Sequence, residues 1–418
     1  MSGTIGSNIV RHSGTIAATA AGLSWTTAVV TGSTVTVEAG NGYFINTTSN
    51  ACTVTLPSSA EAGDQIVLVD YARTWGTNAI TIDSNGLNFQ GNADTYTVEY
   101  TTDGQSLNIV YSDSTKGWLP LEDDVAADEP IPTTQKAIFA YGYTSGNVSL
   151  KNLVNSSGVV AADVTGVGTA RSDLAAAVYG EDKAIFAYGY TSGAVSLSNL
   201  VNNSGTVAAD VSGVGTARYT LAAAGYGLDK AVFAYGSTGS VSSLSNLVTN
   251  VGVVGSDVTG VGTARYSLAA TGYGTDTAIF AYGTTDDVVS MSNLVNSSGV
   301  LASDVSGVGT ARNNLGAARY GTDTAIFAYG YSDSNVSLSN LVNSSGVIAA
   351  DVSGVGTARR HAKAARYGGD KAIFAYGFTD ANVSMSNLVS NTGVVASDVS
   401  GVGTARRGLA AAGYSATA

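Results

Sequence analysis

The chain has 418 residues, of which 44% are hydrophobic and only 12% charged, with 52 glycines. Good helix formers are scarce, whereas Val, Thr, Ser, Ala, Tyr and Gly dominate, so a helical bundle is excluded and strands joined by tight turns are expected. The net charge of −12 is concentrated early: residues 1–135 carry fourteen acids against three bases, and residues 136–418 seventeen against sixteen. No basic stripe is left for a nucleic acid or an anionic membrane.

Residues 1–24 begin MSGTIGSNIVRHSG and lack the basic start and apolar run of a secretory signal. They are small, polar and weakly periodic, and read either as a disordered arm or as an anchor segment ordered only on a partner. Nowhere does the chain hold 18 uninterrupted apolar residues, so no membrane insertion is expected.

Across residues 25–120, alternating segments (TVTVEA, GYFINT, CTVTLP, QIVLVDY, AITIDS, YTVEY, LNIVYS) are separated by NG, DG, SNG and AGD turns. That pattern predicts a β-sandwich or jelly-roll-like domain. Cys52, the only cysteine, precludes an intrachain disulfide and reads as a small apolar strand residue. Residues 121–134 contain the acidic run LEDDVAADEP with Pro130 and Pro132, and predict an extended linker.

Residues 135–418 are repetitive. AIFAYG, once as AVFAYG, begins at Ala137, Ala184, Ala231, Ala278, Ala325 and Ala372, always 47 residues apart. GVGTAR keeps the same interval, ending at Arg171, Arg218, Arg265, Arg312, Arg359 and Arg406. Six copies without insertion or deletion indicate one supersecondary unit used six times. In the second copy four strand-like pieces can be read, at 174–179, 183–188, 194–200 and 206–211. The second is apolar on both faces, as a strand between neighbouring sheets should be; the first, LAAAVY, has the small residues of a strand crowded around an axis.

A parallel β-solenoid and a β-propeller both fit this period. The phase of the array separates them. The first copy starts at KAIFAYG with no LAAA piece before it, and residues 401–414 end the array with GVGTARRGLAAAGY and no AIFAYG after it. A closed ring would use the spare C-terminal strand to complete the first blade. The expectation is an all-β protein whose residues 135–418 form a six-bladed β-propeller closed by the C-terminal strand. The phrase ARSDLAAAVYGEDKAIFAYGY resembles the kelch motif in its arginine-led first strand, although the double glycine of that motif is absent.

Chemistry is sparse. With two histidines, His12 and His361, a metal centre or a Ser-His-Asp triad is hard to assemble, so no catalytic residues, metal or cofactor are expected, and His361 reads as an exposed loop residue. GVG lacks the GK[ST] ending of a phosphate loop and reads as a turn. The six GVGTAR arginines and the set Asp163, Asp210, Asp257, Asp304, Asp351 and Asp398 keep the repeat symmetry, so they are expected to pair or to cap turns. Asymmetry is the more informative signal. Asp286, Asp333 and Asp380 occupy one loop position where the first three copies have Ser, Ser and Gly. Arg360, His361 and Arg407 lead into first strands. Together with Tyr266 these residues predict a lopsided, mixed-charge rim suited to carbohydrate.

The stretch from GYFINTTSNACTVTLPSSAEAGDQIVLVDY to LNIVYSDSTKGWLPL is similar to a β-domain of structural proteins in marine cyanophages, and NLVNSSGVVAADVTGVGTAR resembles arrays in fibre-like virion proteins of those phages. The resemblance covers residues 42–418. It implies a non-enzymatic virion structural protein made in the host cytoplasm and exposed on the virion surface. Such a tail fibre or spike would be held by other virion proteins through its N-terminal region and would present the propeller to a host-surface glycan. It also implies a homo-oligomer, trimers being frequent in that family. A capsid decoration or head-fibre protein is the alternative, and a secreted propeller lectin or enzyme a third reading.

Overall fold

The computed structural model describes residues 23–93, 98–121 and 134–417, with the backbone of residues 11–12 and 15–16. The expected arm (1–24) and linker (121–134) lie almost wholly outside these. The described residues form strands and turns, with no helix, in many small sheets. The chain divides into two compact units, residues 1–131 and 132–418.

In the first unit, β1 (Arg11–His12) and β2 (Thr15–Ile16) form an antiparallel pair. Nine strands follow: β3 (Ser24–Trp25), β4 (Thr34–Thr36), β5 (Asn41–Ile45), β6 (Cys52–Thr55), β7 (Gln65–Asp70), β8 (Ile80–Asp83), β9 (Val98–Tyr100), β10 (Ser106–Tyr111) and β11 (Trp118–Pro120). They make two sheets, ordered β11-β10-β7-β5-β3 and β4-β6-β8-β9. Strict alternation puts one face of each strand inward, as in QIVLVD, where Ile66, Leu68 and Asp70 are buried. Ile45, Ile66, Leu68 and Leu107 of one sheet share a single apolar cluster with Cys52, Val54, Ile80 and Ile82 of the other.

The pairing differs from a jelly roll. Strands β3 to β8 alternate between the sheets and pair in parallel, β3 with β5, β5 with β7, β4 with β6 and β6 with β8. Antiparallel pairing begins only at β8–β9, β7–β10 and β10–β11. The connections explain this: segments such as 46–51 are longer than a two-residue hairpin turn, so the chain crosses to the other sheet instead of doubling back.

The second unit opens with β12 (Lys136–Ala140) and β13 (Lys151–Val154). Five triplets follow: β14–β16 (Ala175–Tyr179, Lys183–Ala187, Ser198–Val201), β17–β19 (Ala222–Tyr226, Lys230–Ala234, Ser245–Val248), β20–β22 (Ala269–Tyr273, Thr277–Ala281, Ser292–Val295), β23–β25 (Gly316–Tyr320, Thr324–Ala328, Ser339–Val342) and β26–β28 (Lys363–Tyr367, Lys371–Phe378, Asn382–Val389). Each triplet is one antiparallel sheet. The last strand, β29 (Ala410–Tyr414), pairs with β12, from Lys136↔Tyr414 to Ala140↔Ala410, so the first sheet gains its third strand from the C-terminus.

The middle strand of every sheet is buried on both faces, because apolar side chains of adjacent sheets pack against it from each side. The first strands touch one another in sequence, β14 on β17, β17 on β20, β20 on β23, β23 on β26, β26 on β29 and β29 on β14. At one end the N–H groups of Gly180, Gly227, Gly274, Gly321, Gly368 and Ser415 donate to the carbonyls of Asp229, Asp276, Asp323, Asp370, Gln135 and Asp182, at 2.6–2.9 Å.

The expected fourth strand of each repeat is not continuous. In the second copy it is reduced to two bridges, Ser198↔Val211 and Val201↔Val207. One extra residue lies on its side between those bridges, so the ladder cannot close. The side chain of Asn199 fills the gap, donating to the Ala208 carbonyl at 3.0 Å.

Removing residues 406–418 strips β29 and Arg406 from the first sheet. At ~25 cal/mol per Å2 of newly exposed apolar surface, the unfolding free energy of the second unit should fall by roughly 3 kcal/mol or more. Chemical denaturation checks this, and an unchanged midpoint would show that the terminal strand is dispensable.

Candidate functional site

Two kinds of polar chemistry sit on this scaffold, one repeated six times and one not. The repeated kind joins the sheets. Arg171 is fully buried, with its guanidinium 4.3 Å from the centroid of the Tyr141 ring on the preceding sheet. It donates to the Tyr188 carbonyl (2.9 Å) and to Asn199 Oδ1 (2.7 Å), and Nη1 lies 3.9 Å from Asp210. Asp210 accepts from the Thr169 hydroxyl (2.6 Å) and from Asn199 Nδ2 (2.9 Å). Burial raises the Asp210 carboxyl, but bonds from Thr169 and Asn199 and the Arg171 charge outweigh it and leave it below its ordinary value. Burial pushes the Tyr141 hydroxyl up to about 12 and lowers Arg171. The expected pairing of the symmetric arginines and aspartates is therefore what the structure contains.

The same network explains GVG. Gly168 has φ +81, and a Cβ there would stand 2.4 Å from Asp210 Oδ1. The sixth copy spans the length of the repeat array: Arg406 stacks on Tyr376 at 4.3 Å and donates to the Tyr141 carbonyl (2.9 Å) and to Asn152 (2.7 Å), 3.8 Å from Asp163.

The unrepeated chemistry lies where the first strands begin. Arg360 stacks between Tyr331 and Phe378, 4.9 Å from each centroid, and Arg407 between Phe378 (4.6 Å) and Tyr143 (5.3 Å). The result is an alternating ladder, Tyr331–Arg360–Phe378–Arg407–Tyr143. It arises because the residue after each GVGTAR arginine bridges the residue after AYG, as in Arg360↔Phe378 and Tyr143↔Arg407. Each such stack contributes about 0.5–1 kcal/mol where solvent reaches it.

Beside the ladder, Asp173, Thr220, Ser267, Asn314, His361 and Gly408 hold equivalent positions, all with φ between +50 and +61. Backbone bonds of 2.7–2.8 Å link them in order, Asp173 to Gly408, Thr220 to Asp173, Ser267 to Thr220, Asn314 to Ser267 and His361 to Asn314. Leu174, Leu221, Leu268 and Leu315, which follow four of them, line a cavity of ≈ 50 Å3 with the first-strand alanines and Lys363, which replaces alanine or glycine of the other copies. Burial lowers Lys363 and the Asp173 charge opposes it. Burial likewise raises Asp173, against the charge of Lys363. The two are not within ion-pair distance, so the mouth presents separated opposite charges between hydroxyl and amide groups.

Of the sequence-predicted residues, Arg360, His361 and Arg407 come together. His361 is half-buried, not an exposed loop residue: its backbone is left-handed (φ +58) and its ring sits among the charges of Lys363, Arg360 and Arg407. Burial, followed by the charges of Lys363, Arg360 and Arg407, pushes its imidazole down to about 3. Asp286, Asp333 and Asp380 are exposed at loop tips, and none makes an ion pair among the described residues. Tyr266 is half-buried and bridges Thr284, away from the arginine ladder. Sequence reasoning missed Lys363, Asp173, Tyr331, Phe378 and Tyr143; the signal for Lys363 was its break in the run of small residues, HAKA against LAAA.

Among the described residues no group of three or more His, Cys, Asp or Glu is placed to hold a metal ion, and no helix is long and apolar enough to cross a membrane. No protein-family model matches the chain, and a search of curated proteins finds no significant relative.

Two pH windows follow. Protonating His361 in the unfolded chain, but not in the folded one, should erode stability as pH falls below about 6.5. His361→Asn, the residue of the preceding copy, should flatten that slope down to about pH 4. Below that, the six aspartates of the arginine network carry depressed folded values, so their contribution is present above about pH 4 and lost as they protonate. Thermal unfolding across pH 3–8, wild type against His361→Asn, separates the two; superimposable curves would rule out the histidine as their source.

Proposed function

We propose that the second unit is a closed six-bladed β-propeller, that the protein is a structural protein of a phage virion carried as an exposed appendage, and that the arginine–aromatic ladder and axial mouth recognise a host-surface carbohydrate. Closure is supported by the β12–β29 pairing, by the succession of first-strand contacts returning from β29 to β14, and by the junction of Arg406 with Asn152 and Asp163. The virion assignment is supported by the sequence resemblance, with the first unit as the attachment region.

One observation carries the recognition reading. In a repeat whose framework residues recur six times, the unrepeated cations Arg360, His361-flanking Lys363 and Arg407 collect on one arc, interleaved with aromatic rings. Guanidiniums held in place by these rings, with the carboxylate and amide groups beside them, meet sugar hydroxyls, which makes a binding surface rather than a reaction centre. Groups fixed by the fold lose little freedom on binding. Individual contacts would be weak, so several copies on one particle would supply avidity.

Replacing Arg360 with Asn and Arg407 with Ser, the residues of other copies, should leave folding intact and weaken attachment to host cells by about tenfold or more. Attachment at the wild-type level would place the binding surface elsewhere. Antibody labelling of intact particles tests the assignment to an appendage: signal along the tail or its fibres is expected, signal spread over the capsid identifies a decoration protein, and an unlabelled particle refutes the virion reading.

A further inference from the structure

Away from this rim, the first strands carry a second break in the repeat. At one equivalent position the six copies read Val178, Gly225, Gly272, Arg319, Arg366 and Gly413. Arg319 and Arg366 therefore stand on adjacent strands, β23 and β26, one residue before the tyrosine that ends each strand. Both side chains lean onto the preceding repeat. Arg319 Nη2 donates to the carbonyls of Gly274 and Thr322, the latter at 2.8 Å, and Arg366 Nη2 donates to the Gly321 carbonyl at 2.7 Å.

These bonds leave each guanidinium only partly satisfied. The Nε of both arginines is buried with no hydrogen-bond partner, and among the described residues no carboxylate lies within 4.0 Å of either. The two nearest acids do not change this: Asp323 and Asp370 act only at longer range, and the Asp370 carboxylate is engaged by Lys371 at 2.6 Å. Burial, and then the neighbouring Arg319 charge, pushes Arg366 down to about 9. Elsewhere the protein buries an arginine only with its carboxylate, amide and aromatic partners in place. Gly272 and Gly413 flank the pair: the Arg319 side chain lies over Gly272, its Cδ 3.1 Å from where a Cβ would stand, and Thr134 packs against Gly413.

Two adjacent, half-buried guanidiniums with unused donors and no acid between them are short of one acceptor group. Guanidinium forks match the paired oxygens of a tetrahedral or planar oxyanion. We propose that Arg319 and Arg366 together bind one small oxyanion, a sulfate, phosphate or carboxylate group, at the end of the repeat array opposite the arginine–aromatic ladder. The group can arrive as a free ion or as the acidic substituent of a sugar.

Calorimetric titration of the full chain at constant ionic strength tests this, with inorganic sulfate and glucose 6-sulfate in separate arms and chloride as the control. One saturable equivalent is expected in at least one sulfate arm, and the tighter arm identifies the source. Arg319→Met and Arg366→Met should each weaken that binding by about tenfold or more, whereas Lys116→Ala, an exposed cation of the first unit, should not alter it. Binding that does not saturate, or that chloride matches, would mark an adventitious ion only and overturn the proposal, as would wild-type affinity in both methionine variants. Should either variant fail to fold, wild-type crystals soaked in selenate decide: an anomalous peak between the two guanidiniums supports the site, and its absence overturns it.

Discussion

A guanidinium removed from water must have its charge and its donors answered, and in this protein the same asparagine, aspartate and tyrosine do so six times, Arg218 alone of the six keeping an unpartnered Nε. The six GVGTAR arginines have no exposed surface. Leaving such a cation unpaired costs several kcal/mol, on the order of 3–5 when one partner is deleted. The surrounding sequence is organised by that requirement. The asparagine of SNLV (KNLV in the first copy) supplies the oxygen, the aspartate eleven residues later steadies the asparagine, and the tyrosine of AYG supplies the aromatic face. That tyrosine adopts φ of 60–65 in all six copies, a costly conformation for a bulky residue, held by its bond to the carbonyl of the GVG valine. Glycine follows in the turn because the carboxylate stands where a side chain would go.

An interval of 47 residues without insertion is the expected outcome of such coupling. Each network reaches from the end of one repeat into the next, so a shift of one residue would displace the arginine from its ring, its amide and its carboxylate together. The loops that vary, such as those carrying Asp286, Asp333 and Asp380, lie outside the network.

Legibility in the sequence followed the same division. The period, the middle strands and the completion of the first sheet by the C-terminal strand could be read because each rests on repeated apolar pattern and on phase. The interrupted fourth piece could not: TVAADV alternates like a strand, and the side chain of Asn199 that takes its place reads as an ordinary polar residue. In the first unit, alternation located the strands but is the same for parallel and antiparallel neighbours, so the winding between sheets was invisible. At the rim, Arg360 and Arg407 stood out as departures from the repeat, whereas Tyr331, Phe378 and Tyr143 become their partners only through cross-strand bridges. Asp286, Asp333 and Asp380 stood out equally, and the fold leaves them apart.

The pairing of β12 with β29 also sets an order of events. Residues 136–140 are made some 270 residues before their partner at 410–414, so during synthesis the first sheet waits, one edge open, while every later sheet can assemble as its own strands emerge. The first sheet therefore becomes whole only in a late step, when the C-terminal strand arrives. Until then that open edge is where two nascent copies can exchange strands, and the regular interval that makes the repeats interchangeable makes such an exchange possible at any of their seams.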